Sequence, residues 1–546
     1  LCLILLVIQV CSVFSLRMTT NLHLRNEFSK LSKNPYFDQN RMNDAKSLLG
    51  FNLDFKEIKT TKKSIKCYVL SDIHADAEKN QIWVRERCQR STEDVENDVF
   101  TVFIVPGDIG SEIDRIQSVL RNLVNNYDAV CYLPGNHEAW RKGIAAGGSA
   151  LLANDPTYKR PDNRMAVDSV VKLIEVVECA RASGVYVGPI RVQLESSSGA
   201  KANCNVDGCD GRSDVDAVRS RTNVEAGMVG HTGPSGGDSG GNTSEESAAD
   251  SVSSNKRSNH IDKPQRDAHL STTSTSGRAS SAAAAAVAAV AAVVVMPLYG
   301  WYHSSWDTEP EITDSQFTAV EASIPFSRKW GDYAMCAWPT DIVSHSDFVA
   351  NAASNTVLSE AFAKLNEPFL HPMPSKSTIE SVTEEEAEVY LGSPLVQPGD
   401  TVISYSHYLP RIELCPEKRF LTEPMLSKVI GSDVLECQVR RLQPHIHLYG
   451  HTHIPLDMEL DGVRYIQWPL GYFREAQLQC APIFSTGPLM IHDSAIGTGK
   501  QGIPPALASE HTAWSQYYRR EARDVSKMNE LAPWVRARLE AFSGMG

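Results

Sequence analysis

The stretch that decides the fold is "IHLYGHTH", residues 446–453. Four residues of mostly apolar character lead into a glycine and two histidines one residue apart. On an extended backbone residues i and i+2 project to the same side, so His451 and His453 can reach two neighbouring points in one site. With 16 histidines in 546 residues, one His-x-His carries little information by itself. Its weight depends on whether other strand ends carry similar chemistry.

They do. "IKCYVL" (65–70), "DVFTVFIV" (98–105) and "DAVCYLP" (128–134) read as buried strands, and between the last two Ile113, Ile116, Leu120, Leu123, Val124 and Tyr127 fall on one helical face. This is a β-α-β pattern, the mark of a sheet covered by helices. Further on come "TVISYS" (401–406), a helix over about 433–442, "IHLY" (446–449) and "VRYIQWPL" (463–470). Each strand hands over to a polar cluster at its C-terminal end, where open α/β sheets bind ligands. In order the clusters are "SDIHAD" with Asp72 and His74, "PGDIG" with Asp108, "PGNHEAW" with Asn136, His137 and Glu138, "SYSHYLP" with His407, and "GHTH" with His451 and His453.

Carboxylate, imidazole and amide oxygen without thiolate suit Mn, Fe, Zn or Mg. Seven such ligands are too many for one ion and match a two-metal site with one bridging carboxylate. Phosphate ester hydrolysis is the reaction that most needs this, because its transition state spreads negative charge over several oxygens.

The order of motifs resembles the calcineurin-like metallophosphoesterase superfamily: Asp-x-His, Gly-Asp, Gly-Asn-His-(Asp/Glu), His, Gly-His-x-His. The resemblance spans roughly 65–194 and 292–490. It implies an α/β fold, a four-layer αββα sandwich of two mixed sheets, and two divalent metal ions (Mn, Fe or Zn). It places Asp72, His74 and His453 on the first ion, Asn136, His407 and His451 on the second, and Asp108 between them. His137 would protonate the leaving alkoxide, with Glu138 orienting it, and a hydroxide bridging the metals would attack. Ser111 stands where purple acid phosphatases carry a tyrosine ligand. "GDIGSEID" and "SDIHADA" depart from the protein serine/threonine phosphatases. The resemblance therefore points to the small-substrate branch acting on a phosphomonoester or phosphodiester. The alternatives are a non-catalytic scaffold with this fold and a protein phosphatase.

Outside the motifs, "PLYGWYHSSWD" (297–307) and "WPLGYFRE" (468–475) end further strands. Trp301, Tyr302 and Trp468 read as packing. His303, Asp307 and Arg474 are candidates for substrate contact, Arg474 because guanidinium matches phosphate oxygens.

Between Tyr186 and Tyr299 there is no aromatic residue, and Ser, Gly, Ala, Asn and Asp dominate. Such a segment cannot bury enough apolar surface to offset its ordering entropy, so residues 195–291 are expected to be a disordered insertion between two strands, "GVYVGPIRV" and "VVVMPLYG". The expected organisation is an N-terminal extension (1–64), a catalytic domain in two parts (65–194 and 292–495), this insertion, and a C-terminal helical extension (496–546). The first sixteen residues, "LCLILLVIQVCSVFSL", suit a targeting presequence better than a membrane span. A net charge of −13, from 66 acidic and 53 basic residues, argues against a general nucleic-acid binder. Twelve scattered cysteines, without ribbon or redox spacing, fit reduced thiols of an intracellular protein, cytoplasmic or organellar. The expected partner is a small phosphorylated substrate, with no nucleic acid and no transmembrane span.

Overall fold

A computed structural model of the chain describes residues 49–141, 168–195, 292–303, 305–340, 342–349, 354–372, 392–472, 475, 486–507 and 512–543. The chain divides into two units, Leu1–Ser197 with Ala288–Gly546, and Ser198–Val287. The second unit, with most of the stretch expected to be an insertion, lies outside the described residues, as does the apolar stretch at residues 1–16.

The first unit is a mixed α/β fold built on two mixed sheets. Strands β1 (Lys56–Thr60), β5 (Ile190–Leu194), β6 (Val293–Pro297), β7 (Thr401–Tyr405), β8 (Ile446–Tyr449), β9 (Leu456–Leu460) and β10 (Val463–Gln467) form a seven-stranded sheet in the order β1-β5-β6-β7-β8-β10-β9. Strands β2 (Ser64–Val69), β3 (Val99–Pro106), β4 (Ala129–Leu133) and β11 (Leu489–Asp493) form a four-stranded sheet in the order β11-β2-β3-β4. β2 packs on β5 and β4 on β6, so the sheets share one core. All eight residues of β3 are buried, which is why "VFTVFIVP" is a continuous apolar run and not an alternating one.

Helices flank the sheets: α1 (Glu78–Arg87), α2 (Ile113–Asn126), α3 (Asn136–Ala139), α4 (Ser169–Ala182), α5 (Ser315–Ser323), α6 (Ser354–Lys364) and α7 (Asp433–Leu442). α2 buries Ile116, Val119, Leu120 and Leu123 on one face and packs on α4 and β4. α7 spans the residues expected of it and closes at Gln443, which takes the left-handed conformation at φ 51°.

Both stretches set apart as terminal extensions supply elements to this unit. Strand β1, "KEIKT", falls inside the stretch set apart as an N-terminal extension, and Leu49 and Phe51 before it belong to the core. Its burial pattern is mostly exposed, as befits an edge strand, so it shows no strong apolar signal. The C-terminal stretch forms α8 (Ala513–Arg520) and α9 (Pro533–Ser543), which pack on β9 and α5 respectively. Ile312, Phe317, Met528, Leu531, Val535 and Leu539 make a second small core there. No helix among the described residues is long and apolar enough to cross a membrane.

Candidate metal centre

The polar clusters named from the sequence meet at the C-terminal ends of β2, β3, β4, β7 and β8. What brings them together is backbone conformation. Asp72, His74, Asp108, His451 and His453 all have positive φ, between 47° and 78°, and account for five of the eight non-glycine residues in that region among the described residues. Asp and His tolerate it better than most residues, yet each still stores strain that the surroundings must hold. The holding contacts are backbone bonds from Asp72 N–H to Gly107 O (3.2 Å) and from His74 N–H to Asp108 O (3.0 Å). The Asp72 carboxylate in turn accepts from His451 N–H at 2.7 Å. Gly450 serves by its size: a Cβ there would lie 2.8 Å from Pro106 O and 2.9 Å from Asp72 Oδ2. The turn itself is made by positive φ at His451.

Two donor groups result, each with its ligand atoms within 4.8 Å of one another: Asp72, His74, Asp108 and His453 in one, and Asp108, His407 and His451 in the other. Asp108 belongs to both. In the second group His407 Nε2, His451 Nδ1 and Asn136 Oδ1 form a triangle with every edge 3.0 Å. Asp108 Oδ2 lies 3.5 Å from His407 Nε2. In the first, His74 Nε2 and His453 Nε2 are 2.8 Å apart.

The outer hydrogen bonds fix what these atoms present. His407 Nδ1 lies 3.0 Å from Pro106 O, His451 Nε2 3.1 Å from Val429 O, and His453 Nδ1 2.7 Å from Glu475 Oε2. A nitrogen facing a carbonyl or carboxylate carries the proton, so the other nitrogen of each ring presents a lone pair to the centre. Asn136 Nδ2 donates to Asp332 Oδ1 at 2.8 Å, which turns its Oδ1 inward. Three lone-pair atoms therefore face one another at 3.0 Å with no proton between them. That arrangement is repulsive unless a cation sits among them, and ligating histidines held by carbonyls and carboxylates are the usual outer arrangement of a metal site.

Electrostatics point the same way. Burial lowers His407 to about 4 and, with neighbouring imidazoles, pushes His74 and His451 well down, so these rings are neutral. Burial is the largest influence on His453 and opposes its charge, but the Glu475 hydrogen bond together with the nearby charges of Asp72 and Glu475 raises that ring. Asp108 is pushed well up by burial and then by Glu138 and Asp72. This is a buried accumulation of carboxylates awaiting positive charge.

Glu138, which the resemblance gives the role of orienting His137, is fully buried beside it. Its two oxygens accept from the backbone N–H groups of Asp108 (3.1 Å), Ile109 (2.7 Å), Gly110 (3.1 Å) and Gly135 (2.7 Å). Burial raises its carboxyl, while these donors work against that. Four donors on two oxygens require the ionised form. Glu138 thus clamps the "GDIG" and "GNHE" loops together, and Lys172 supports them by donating to Trp140 O at 2.6 Å.

His137 lies over the first group, with Nε2 3.9 Å from Asp108 Oδ2 and 3.2 Å from the Tyr472 hydroxyl. Its ring stacks on Trp140 at 3.7 Å, and Tyr472 stacks on His74 at 4.3 Å. Asp108, Asn136, His137, His451 and His453 line a cavity of about 270 Å³, walled by Trp140, Trp330, Leu426, Ile430 and Ile454. Lys329 also lines it and is paired with Glu321 (2.9 Å) and Glu423 (3.1 Å).

Of the three residues suggested for substrate contact, the two that are described, His303 and Asp307, are not among the residues lining this cavity. His303 is buried against Asp433, with Nδ1 3.1 Å from its carboxylate. Asp307 is buried between Lys418 (2.8 Å) and Lys428 (2.9 Å). His303 is held as a ring whose Nδ1 accepts from Ser305 N–H at 3.2 Å, with burial lowering its pKa, and Asp307 by its two lysines, because the aromatic segment turns into the core, where Trp301 and Tyr302 are buried. Arg474 lies outside the described residues. Sequence reasoning missed Asp332, Glu475, Tyr472 and Trp330. The "GYFRE" run offered a weak signal for Glu475 and Tyr472; Asp332 sits in a region with no strand to anchor a reading.

No protein-family model and no curated protein matches the chain. Among solved structures, it is similar to the phosphopantetheinyl hydrolase (PptH) of Mycobacterium tuberculosis, at 14% identity and a TM-score of 0.37, over 78% of this chain and 96% of that one.

Proposed function

We propose that the chain is a calcineurin-like metallophosphoesterase that hydrolyses a small phosphate ester at a dinuclear centre. The observation that carries this reading is the sharing of Asp108 between two buried donor groups. Asp72, His74 and His453 would hold one ion, Asn136, His407 and His451 the other, and Asp108 both. Bound there, two divalent ions supply positive charge to the phosphoryl oxygens and lower the pKa of an attacking water.

His137 is the residue placed to protonate the leaving oxygen. It lines the cavity and its ring stacks on Trp140; its backbone N–H donates to Asp108 Oδ1 at 3.0 Å, while the ring Nε2 stands 3.9 Å from Asp108 Oδ2. The apolar wall of Leu426, Ile430 and Ile454 and the neutralised Lys329 offer nothing to a charged leaving group. The reading therefore favours an ester whose remaining part is uncharged, and it ranks phosphopeptides and polyphosphates low. Purified protein loaded with Mn(II) is expected to turn over para-nitrophenyl phosphate or its bis-ester. Failure on both, with two ions bound, overturns the proposal.

A further inference from the structure

We propose that Asp332 is a positioning residue that selects the metal-binding orientation of Asn136. This inference rests on the dinuclear reading above.

Asp332 stands in a short helix, Gly331–Met335, and is fully buried. Among the described residues no cation faces it. Its partners are three N–H donors: Asn136 Nδ2 at 2.8 Å and Trp140 Nε1 at 2.6 Å on Oδ1, and Trp330 Nε1 at 2.9 Å on Oδ2. The helix approaches closely, since a Cβ on Gly331 would lie 2.8 Å from the Trp140 ring.

An asparagine side chain has two orientations of nearly equal shape, and at this site they have opposite consequences. With Oδ1 inward, three lone-pair atoms meet at 3.0 Å and demand a cation. With Nδ2 inward, the amide would donate to His407 Nε2 and His451 Nδ1. The centre would then be satisfied by itself, with one ligand lost. An ionised carboxylate is acceptor-only, so it repels the amide oxygen and excludes the second orientation. Asp332 thus removes a metal-free state that the two histidines would otherwise favour. The same carboxylate holds both tryptophan walls, Trp140 stacked on His137 at 3.7 Å and Trp330 against His451 at 5.8 Å.

The test is a donor–acceptor swap, read by Mn(II) per chain and by Mn(II) affinity in direct titration, with circular dichroism reporting the fold. Wild type is expected to bind two ions. Asp332→Asn keeps the volume but presents an amide to an amide, and is expected to weaken the second ion by roughly 10–100-fold, the range for lost outer partners of a ligand. Adding Asn136→Asp restores one donor facing one acceptor, with a carboxylate oxygen inward, and should return the second affinity to within about threefold of wild type. A purely structural role for Asp332 would not be rescued by a change at position 136. Two ions bound by folded Asp332→Asn with unchanged affinity, no rescue by the double variant, or unfolding of both variants would each overturn the inference while leaving the dinuclear reading in place. Wild type unable to bind a second ion would overturn both.

Discussion

At the scale of single residues, the site separates groups that hold charge from groups that move a proton, and substitutions should separate them too. Asp108 is common to both donor groups. Asp108→Asn is therefore expected to lower metal content at both positions and reduce kcat by at least roughly 10²–10³, the range for removing one preorganised electrostatic group. His137→Ala should leave two ions bound and reduce kcat by roughly 10²–10⁴ through loss of the general acid. Equal metal loss in the two variants would refute this division of roles. Gly135→Ala tests the packing beneath them. Its methyl would lie 2.2 Å from Asp108 Oδ1 and 2.7 Å from His407 Cε1, both fixed by other contacts. The expected outcome is a folded protein with depleted metal, read by elemental analysis.

At the scale of elements, what was legible in the sequence was whatever has a period or a fixed spacing. Strands β2, β3, β4, β7 and β8 and helices α2 and α7 appear at their expected places because burial on both faces or on one stripe leaves an apolar signature. The seven polar residues at strand ends were legible for the same reason, since each follows such a strand. The less legible parts have no such signature. Strands β9 and β11 each lie at a sheet edge and are only partly buried, and Glu475 and Asp332 act through others from segments whose course depends on tertiary packing. Strand β8 also carries a histidine that is not part of the centre. His447 is buried, with Nδ1 2.8 Å from Ser404 Oγ and Nε2 3.0 Å from Ser406 Oγ. Ser406 Oγ donates to Tyr408 O, so it accepts from Nε2–H, and Ser404 donates to Nδ1. This pairing satisfies the neutral ring. Burial lowers its pKa from 6.5 to about 3. Because the folded value is the lower one, the unfolded chain binds the extra proton first, and stability is lost as pH falls below 6.5 and toward 3. Between pH 6.5 and 5 the loss amounts to roughly 2 kcal/mol at about 1.4 kcal/mol per unit. Urea unfolding at pH 7 and pH 5 should show more than that decrement in the wild type and a smaller one in His447→Gln. His492 and His407, each lowered to about 4 by burial first, and His74 and His451, pushed down by burial and neighbouring imidazoles, contribute in the same window, so the decrement shrinks by the His447 share without vanishing.

At the scale of the whole molecule, the first unit is interrupted between β5 and β6, and the two strands pair antiparallel with Val192 opposite Val293. Each end of the interruption is held by described residues of the first unit. On one side Glu195 N–H donates to Thr60 O at 2.7 Å. On the other, Ala292 N–H donates to Asp400 Oδ1 at 3.0 Å, and Thr401 N–H donates to Ala292 O at 2.8 Å. Arg191 of β5 is buried and binds the same Asp400 through Nε at 3.0 Å, so one carboxylate ties both stumps. The intervening sequence has no aromatic residue and little to add to a core. Replacing residues 197–289 with a short Gly-Ser linker should therefore leave the strand pairing and the metal-to-protein ratio unchanged. Shortening roughly a hundred residues to about eight relieves closure entropy of about 2 kcal/mol at ~0.6 kcal/mol per doubling, so the thermal midpoint should stay equal or rise. Aggregation of the shortened protein, or loss of metal from it, would mean that the segment packs on the first unit and that its composition misleads.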